Sequence, residues 1–376
     1  MRRGRLFAAV LLLLGLCACG KPSEGGWSSM EKTGSMELQY AREYQVDYYT
    51  GGYALIGIEG TKYLLVPEGK NAPEGIGSDV TILREPLSNL YVASSSAMDL
   101  FLQAGAVEQV DMTSTSAENW AIPEIREKVL SDDILYVGKN SAPDYEVVLD
   151  EGCGLAVENT MISHSPEVKE KLEQLGIPVL VERSSYEESP LGRVEWIKLY
   201  GLLTGTLEQA EAFFQESVLQ VQRVQQEIRQ QGGQEPTVVF FYFTSSGYAN
   251  VRTPHDYISQ MIRQAGGHYA FTDEALGDQG SRSTVNMDLE QFFATAKDAD
   301  ILIYNSTVEG DLDSLDALLE KSPLMKDCKA VAAGNVWCTG QNMFQQVSGT
   351  AEMISDLHTV ISGNTAATLN YLHRLQ

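Results

Sequence analysis

The sequence predicts an α/β protein of two sheet-and-helix lobes joined by a long helical connector. Runs typical of buried strands alternate with helical runs in one array before residue 187 and in another after residue 233. Such alternation is typical of parallel sheets that helices cover on both faces. The length of 376 residues also exceeds what one hydrophobic core usually supports.

The N-terminus carries an export signal. A basic start is followed by an apolar run to Leu16, which is too short to span a bilayer. The box Leu16-Cys17-Ala18-Cys19 resembles a bacterial lipobox and implies cleavage before Cys19 with lipidation of its sulfur. Cys17 fits less well, because bulky Leu16 would occupy the position of a small residue. An ordinary signal peptide cut nearby is the alternative. We therefore expect residues 1–18 to be removed and the protein to lie on the outer face of the cytoplasmic membrane.

Residues 19–35 are polar, rich in glycine and serine, and predict a flexible tether. We assign residues 36–187 to the N-terminal lobe, which begins with β-hairpins that turn at Gly51-Gly52 and Gly60-Thr61. After the hairpins, strands are expected at 90–93, 154–157 and 177–181, and helices near 96–105 and 166–174. Residues 145–149, together with 154–157, are interpreted as a loop–strand stretch.

Residues 188–232 form the predicted helical linker. Ser189-Pro190 marks a helix start, and the chain breaks at Thr204-Gly205-Thr206. Apolar residues at helical spacing then continue into a second helix. The second lobe, residues 233–376, is expected to contain strands at 237–243 and 300–304 and helices at 257–264 and 353–361.

The net charge of −24 excludes nucleic acid and anionic lipid headgroups as partners. Cys153, Cys328 and Cys338 remain after export, an odd number for a disulfide framework. The segment between Cys328 and Cys338 predicts a hairpin turning at Gly334-Asn335, and it leaves open whether these two cysteines are bridged. The sequence contains no Cys-x-x-Cys or His-Glu-x-x-His motif, so we predict neither a metal site nor a cofactor.

Several fragments resemble class III substrate-binding lipoproteins, which serve ABC importers for iron–siderophore complexes, haem and cobalamin. The strongest are Ser189-Pro-Leu-Gly-Arg-Val-Glu-Trp-Ile-Lys-Leu-Tyr-Gly201 and Thr206-Leu-Glu-Gln-Ala-Glu-Ala-Phe213. Leu172–Val179, Asp256–Gly267 and Ala299–Tyr304 add support. The resemblance implies a monomer with a ligand cleft between two lobes joined by a rigid linker helix. It also implies an ABC permease and its ATPase as partners. An iron–siderophore-type chelate is the expected ligand, and a corrinoid or haem is the alternative.

Loops at the carboxyl ends of strands usually bind the ligand in such folds. The expected ligand-binding residues are rich in hydroxyls and amides, with an aromatic side chain and two basic groups: Ser94, Ser95, Ser96, Glu158, Asn159, His164, Thr244, Ser245, Ser246, Tyr248, Arg252, Asn305 and Ser306. Ordinary turn chemistry explains the same residue types equally well. Arg252 would grip an anionic oxygen.

The resemblance further implies one acidic residue on each lobe for docking to the permease. Glu167 is the candidate in the first lobe. The matching helix of the second lobe carries Gln260 instead, so Asp256 is the substitute. An exported hydrolase is the rival class, but the chain contains no Gly-x-Ser-x-Gly elbow. We therefore expect a binding protein and not an enzyme.

Overall fold

The computed structural model describes residues 26–232, 235–277, 279–280, 282–364 and 368–376. The predicted signal peptide, residues 1–18, and the lipidation site Cys19 lie outside the described residues. Within the described ranges, no helix is both long enough and apolar enough to cross a membrane.

The first unit is a five-stranded sheet that precedes the first lobe. Its strands are β1 (Lys32–Ser35), β2 (Tyr44–Tyr49), β3 (Tyr53–Ile58), β4 (Thr61–Val66) and β5 (Val80–Arg84). The two predicted hairpins are confirmed, with positive φ at Gly51, Gly52 and Gly60. β5 is different, because it pairs parallel to β4 and is not part of a hairpin.

The predicted tether does not extend to residue 35. Trp27 lies 4.6 Å from Tyr49, measured between ring centroids, and Met30 packs into the same small apolar cluster. Residues 32–35 pair with β2 as strand β1. The polar composition of this segment hid these contacts, because the partners of Trp27 and Met30 come later in the chain.

The first lobe is built on a five-stranded parallel sheet of order β12-β11-β6-β7-β8. The strands are β6 (Leu90–Val92), β7 (Val110–Thr113), β8 (Leu135–Tyr136), β11 (Leu155–Glu158) and β12 (Val179–Val181), and a separate short hairpin contains β9 (Gly138–Lys139) and β10 (Ala142–Pro143). The helices are α1 (Ser95–Gln103), α2 (Pro123–Leu130), α3 (Tyr145–Asp150) and α4 (Pro166–Gln174). α3 corrects the interpretation of residues 145–149, because Asp144 caps a helix there by accepting from the N–H groups of Glu146 and Val147.

The linker contains α5 (Pro190–Glu195), α6 (Ile197–Thr204) and α7 (Leu207–Gln231). The predicted break is confirmed, since Gly205 has a φ of +76°. α6 and α7 pack so closely that a Cβ added at Gly201 would lie only 2.7 Å from the Cβ of Ala210. Glycine at position 201 therefore permits this contact. The connector is therefore a helical hairpin rather than one straight helix.

The second lobe contains a mixed seven-stranded sheet of order β16-β14-β13-β17-β18-β19, with β15 also paired to β13. The strands are β13 (Thr237–Phe243), β14 (Ala249–Arg252), β15 (His268–Tyr269), β16 (Thr284–Met287), β17 (Ile301–Tyr304), β18 (Val336–Thr339) and β19 (Leu372–Arg374). The helices are α8 (Tyr257–Gln264), α9 (Asp273–Leu276), α10 (Leu289–Ala296), α11 (Ser306–Glu309), α12 (Leu315–Lys321), α13 (Lys329–Ala332), α14 (Asn342–Gln345) and α15 (Thr350–Ile361).

Two expectations for this lobe are wrong. The sheet is not purely parallel, because β14, β16 and β19 run antiparallel to their neighbours. The segment from Cys328 to Cys338 forms α13 and β18 instead of a hairpin, and both thiols are free and buried.

Seven short 3₁₀ turns complete the described elements: Trp27–Ser29, Val107–Gln109, Ala117–Asn119, Thr160–His164, Ser184–Tyr186, Pro323–Asp327 and Val347–Gly349. One continuous apolar core runs from the N-terminal sheet through the linker into the second lobe. The boundaries 36–187, 188–232 and 233–376 therefore remain predictions, because no gap in the core marks them.

Candidate ligand cleft

Glu182 organises the carboxyl edge of the first sheet. It directly follows β12, is 2% exposed, and accepts a hydrogen bond from Ser94 Oγ at 2.8 Å. Ser96 Oγ lies 3.3 Å from the same carboxylate, and the Ser184 N–H donates to its second oxygen. Ser94 also caps α1 through the Ala97 N–H, so its hydroxyl serves the fold. The sequence analysis missed Glu182, although it follows a strand just as the predicted loops do.

Glu158 ends β11 next to β12 and is completely buried. Asn140, in the β9–β10 turn, donates to its Oε2 at 2.7 Å, while Oε1 has no hydrogen-bond partner among the described residues. Burial raises the pKa of this carboxyl to about 7. Glu158 therefore lies beneath the β9–β10 turn and is not exposed to a ligand.

The raised pKa of Glu158 predicts a specific pH dependence. The carboxyl favours its neutral form in the folded state, so its stabilising contribution is fully present below its unfolded pKa, near 4.5, and is lost as the pH rises through about 7. Relative to Glu158→Gln, wild-type protein should lose about 3 kcal/mol of unfolding free energy between pH 4.5 and pH 8. Denaturant unfolding at both pH values measures this difference. Exposed Glu146→Gln is the matched control, and equal pH dependence of the Glu158 variant and wild type would contradict the assignment.

The Thr244–Tyr248 loop follows the carboxyl end of β13 and connects this strand to β14. Thr244 Oγ1 accepts from the Tyr248 N–H at 3.0 Å and lies 3.0 Å from Ser246 Oγ. The Ser245 N–H donates to Glu309, the last residue of α11. Ser245, Ser246 and Tyr248 are exposed, so this turn presents polar and aromatic groups to solvent.

Asn305 and Ser306 follow β17, but each is only 1% exposed. Asn305 caps α11 by accepting from the Thr307 N–H. The Ser306 N–H donates to Thr339 Oγ1 on β18, and the Ser306 hydroxyl donates to the Thr339 carbonyl oxygen. Asn305 thus serves as a helix cap, although its Nδ2 has no hydrogen-bond partner among the described residues, and Ser306 joins the end of β17 to β18.

Arg252 and Asp256 are partners of each other inside the second lobe. They are 9% and 7% exposed, and Arg252 Nη1 lies 3.5 Å from Asp256 Oδ2. The Arg252 guanidinium also lies near the rings of Phe240 and Tyr257. Asp256 caps α8 through the Ile258 N–H at 2.9 Å. Neither the predicted ligand role of Arg252 nor the predicted docking role of Asp256 fits this burial.

Eight of the predicted ligand residues keep accessible surface: Ser95, Ser96, Asn159, His164, Thr244, Ser245, Ser246 and Tyr248. The structure adds four exposed apolar side chains at or shortly after the ends of strands. Tyr136 ends β8, Met161 lies in the 3₁₀ turn after β11, and Val308 and Phe344 lie in α11 and α14, which follow β17 and β18. These four residues were not predicted, because a single exposed apolar side chain in a short element gives no periodic signal. Glu167 is exposed in the first turn of α4, as a docking residue requires.

Direct hydrogen bonds join the two lobes beside these loops. Buried Asp99 on α1 accepts from the backbone N–H of Ser348 at 2.7 Å and from its hydroxyl at 3.0 Å. Gln345 bonds to the Ala121 N–H and the Asn119 carbonyl of the first lobe. Burial raises the pKa of Asp99 to about 6.

Comparisons with known proteins agree with this architecture. An uncharacterised lipoprotein of Methanocaldococcus jannaschii is 24% identical over 363 residues, which cover 88% of this chain and 83% of that protein. A second lipoprotein of the same organism is 25% identical over 319 residues, covering 81% and 77%.

Solved structures show the same fold. A periplasmic haem-binding protein from Pseudomonas aeruginosa superimposes with a TM-score of 0.62 at 15% identity, covering 77% of this chain and 98% of that one. A periplasmic binding protein from Veillonella parvula gives 0.61 at 15% identity, covering 82% and 97%.

The profile of the family described as periplasmic binding protein matches residues 156–343, from β11 in the first lobe to α14 in the second. The two sheet-and-helix lobes and the helical linker fit that match. The chain therefore belongs to the periplasmic binding protein family of ABC-importer substrate-binding proteins, which are not enzymes.

Proposed function

We propose that this protein captures an iron–siderophore-type chelate between its lobes and delivers it to an ABC permease and its ATPase. The carrying observation is the accessible set of hydroxyl and amide groups that follow strands in both lobes. Ser95, Ser96 and Asn159 belong to the first lobe, and Ser245 and Ser246 to the second. Such groups bond to the oxygen atoms of a chelate and fix its orientation.

The burial of Arg252 bears on which charge the bound chelate carries. A guanidinium that could have gripped an anionic oxygen is paired with Asp256 inside the lobe. The chain as a whole carries a net charge of −24, which repels anions from the surface. These two facts favour a neutral or cationic ferric chelate, such as a hydroxamate complex, over a multiply anionic catecholate complex.

Haem or a corrinoid is the second candidate ligand. Five apolar or aromatic side chains at or shortly after the ends of strands are each at least 43% exposed: Tyr136, Met161, Tyr248, Val308 and Phe344. Apolar and aromatic side chains of this kind cover the flat face of a macrocycle well. Exposed His164 would then be the candidate iron ligand.

A thermal-shift panel separates the candidates. Full-length mature protein would be heated with a ferric hydroxamate siderophore, a ferric catecholate siderophore, haemin or cobalamin. A saturating ligand adds RT ln(1 + [L]/Kd) to stability, so the hydroxamate complex should raise Tm by several degrees.

The variant Ser245→Ala/Ser246→Ala should reduce this shift, whereas Ser131→Ala, exposed at the end of α2, should not. A shift with haemin or cobalamin alone would favour the second candidate. If none of the four compounds changed Tm, the chelate proposal itself would fail.

The proposed membrane attachment is a lipid on Cys19. The lipobox at Leu16–Cys19 supports it, as do the two relatives that are called lipoproteins. Mass spectrometry of the N-terminal peptide from the membrane fraction tests it, and an unmodified Cys19 would contradict it.

The permease-docking proposal rests on Glu167. Its carboxylate lies in the first turn of α4, where the helix dipole favours a negative charge, and it is exposed. Charge pairs at such contacts govern encounter and register more than ligand affinity. Glu167→Lys should therefore lower cellular uptake on the order of 10-fold while ligand binding in solution stays unchanged. Glu170→Lys, exposed on the same helix, is the control. Normal uptake, or weakened ligand binding, would assign Glu167 a different role.

A further inference from the structure

Three side chains with metal-binding atoms meet at the last strand of the second sheet. Asp311 lies in the segment after α11, Cys338 on β18 and His373 on β19. Cys338 and His373 are directly opposite each other in the antiparallel pairing of β18 with β19. The three residues are distant in sequence, so no local motif could have revealed them.

The distances among the three groups match those of a zinc coordination sphere. Cys338 Sγ lies 3.3 Å from Asp311 Oδ1, and His373 Nε2 lies 3.6 Å from the same oxygen. One ligand atom from each residue falls within 4.8 Å of the other two. Tetrahedral Zn²⁺ with bonds of about 2.0–2.3 Å separates its ligand atoms by roughly 3.3–3.6 Å. Small side-chain movements would therefore complete the coordination.

We propose that Asp311, Cys338 and His373 form a binding site for a divalent transition metal of the zinc type. Thiolate, imidazole and carboxylate are the three ligand classes that zinc uses in proteins. The Cys338 side chain is buried, whereas those of Asp311 and His373 are 43% and 42% exposed. A metal ion reaches the site from the exposed side, which leaves a fourth position for solvent.

Binding requires a proton to leave the site. Burial raises the pKa of the Cys338 thiol to about 12, so the thiol is protonated without metal and donates to Asp311. The incoming M²⁺ forms an M–S bond while the S–H proton passes to solvent. His373 Nε2 lies 3.0 Å from the Leu312 carbonyl oxygen. Coordination through Nε2 moves the ring hydrogen to Nδ1.

The site would act as a structural clip. Among the strands that the structure describes, β19 is at the edge of its sheet and pairs only with β18. A metal held by residues 311, 338 and 373 joins this strand to the loop after α11. None of the three ligands of the clip is among the proposed chelate-binding residues.

Cobalt titration tests the site directly. Full-length mature protein, stripped of metal with a chelator and kept under a thiol-free reductant, would be titrated with Co²⁺. One equivalent should produce a thiolate-to-cobalt charge-transfer band. Cys338→Ser should abolish the band, and Asp311→Asn and His373→Gln should each weaken Co²⁺ binding by about 100-fold or more. Zn²⁺ should compete for the site and raise Tm by a few degrees in wild type, but not in Cys338→Ser.

Matched controls come from the same lobe. Cys328→Ser removes another buried thiol, and His268→Gln removes an exposed imidazole. Both should retain the wild-type band. The absence of a band in folded wild type would overturn the proposal. So would a band that survives in Cys338→Ser, or one that Asp311→Asn and His373→Gln leave unchanged. Retained chelate binding in a variant without the cobalt band would show that this site and the cleft are independent.

Discussion

Replacing Glu195 with alanine should lower the free energy of unfolding by about 3–5 kcal/mol, because it removes a buried carboxylate whose two oxygens both accept hydrogen bonds. Glu195 ends α5 and is completely buried. It accepts from the backbone N–H groups of Gln39, Tyr40 and Ala41 at distances of 2.7–3.1 Å, and from Lys198 Nζ at 2.8 Å. Alanine would leave the buried ammonium and these three donors without their carboxylate partner.

The loss should be concentrated where the N-terminal sheet joins the linker. Glu187 holds the next two backbone N–H groups, those of Arg42 and Glu43, so the two carboxylates bind five consecutive residues. Without Glu195 this segment should open first, and limited proteolysis should cut it faster than the lobes.

Chemical denaturation of Glu195→Ala measures the effect, and Glu188→Ala, an exposed acid nearby in the chain, should change stability by less than about 0.5 kcal/mol. Glu195→Gln keeps an acceptor but removes the charge, so an intermediate loss is expected. Wild-type stability in Glu195→Ala would mean that the carboxylate is not required to hold residues 39–41.

Replacing Asp256 with alanine should lower the free energy of unfolding by about 3–5 kcal/mol, because the buried Arg252 guanidinium would lose its counter-ion. Burial raises the pKa of Asp256 even though Arg252 lies beside it, whereas the pKa of Arg252 is raised by the Asp256 carboxylate against the effect of burial. Desolvation therefore offsets part of the attraction between the two groups. The cost arises when Arg252 remains buried alone. Arg193, 5% exposed and 3.8 Å from the centroid of the Tyr257 ring, adds a second nearby positive charge.

Two variants separate the roles of Asp256. Asp256→Asn keeps an acceptor for the Ile258 N–H but removes the charge, whereas Asp256→Ala removes both. If the charge dominates, Asp256→Asn should lose most of the unfolding free energy that Asp256→Ala loses. The lost helix cap should account for the remaining difference of about 1 kcal/mol. Exposed Asp298→Ala serves as the control in unfolding experiments. A stable Asp256→Ala protein with reduced uptake would instead restore the docking role.

Local patterns predicted much of the fold. α4 and α8 begin and end where they were predicted, because the signals that bound them are local in sequence. Pro166 occupies the first position of α4 and Gly176 follows its end, while Asp256 caps the start of α8. Strand β14 was not predicted from the sequence. Its Asn250 and Arg252 look solvent-exposed in sequence, yet Asn250 bonds to Asn286 on β16 and Arg252 pairs with Asp256. A polar residue can occupy a buried strand only when such partners exist, and those partners lie outside the strand's own sequence.

The sequence by itself determined the α/β class, the two-lobed arrangement and the membership of a binding-protein family. These depend on periodicity and on short motifs that each segment carries within itself. Only the tertiary structure decided which polar groups remain available. In the folded protein Ser94 is hydrogen-bonded to Glu182 and Arg252 is paired with Asp256, so neither is free to bind a ligand. Folding also brings Asp311, Cys338 and His373 together. The physical reason is that the availability of a polar group depends on its burial and its partners, and folding supplies both from distant parts of the chain.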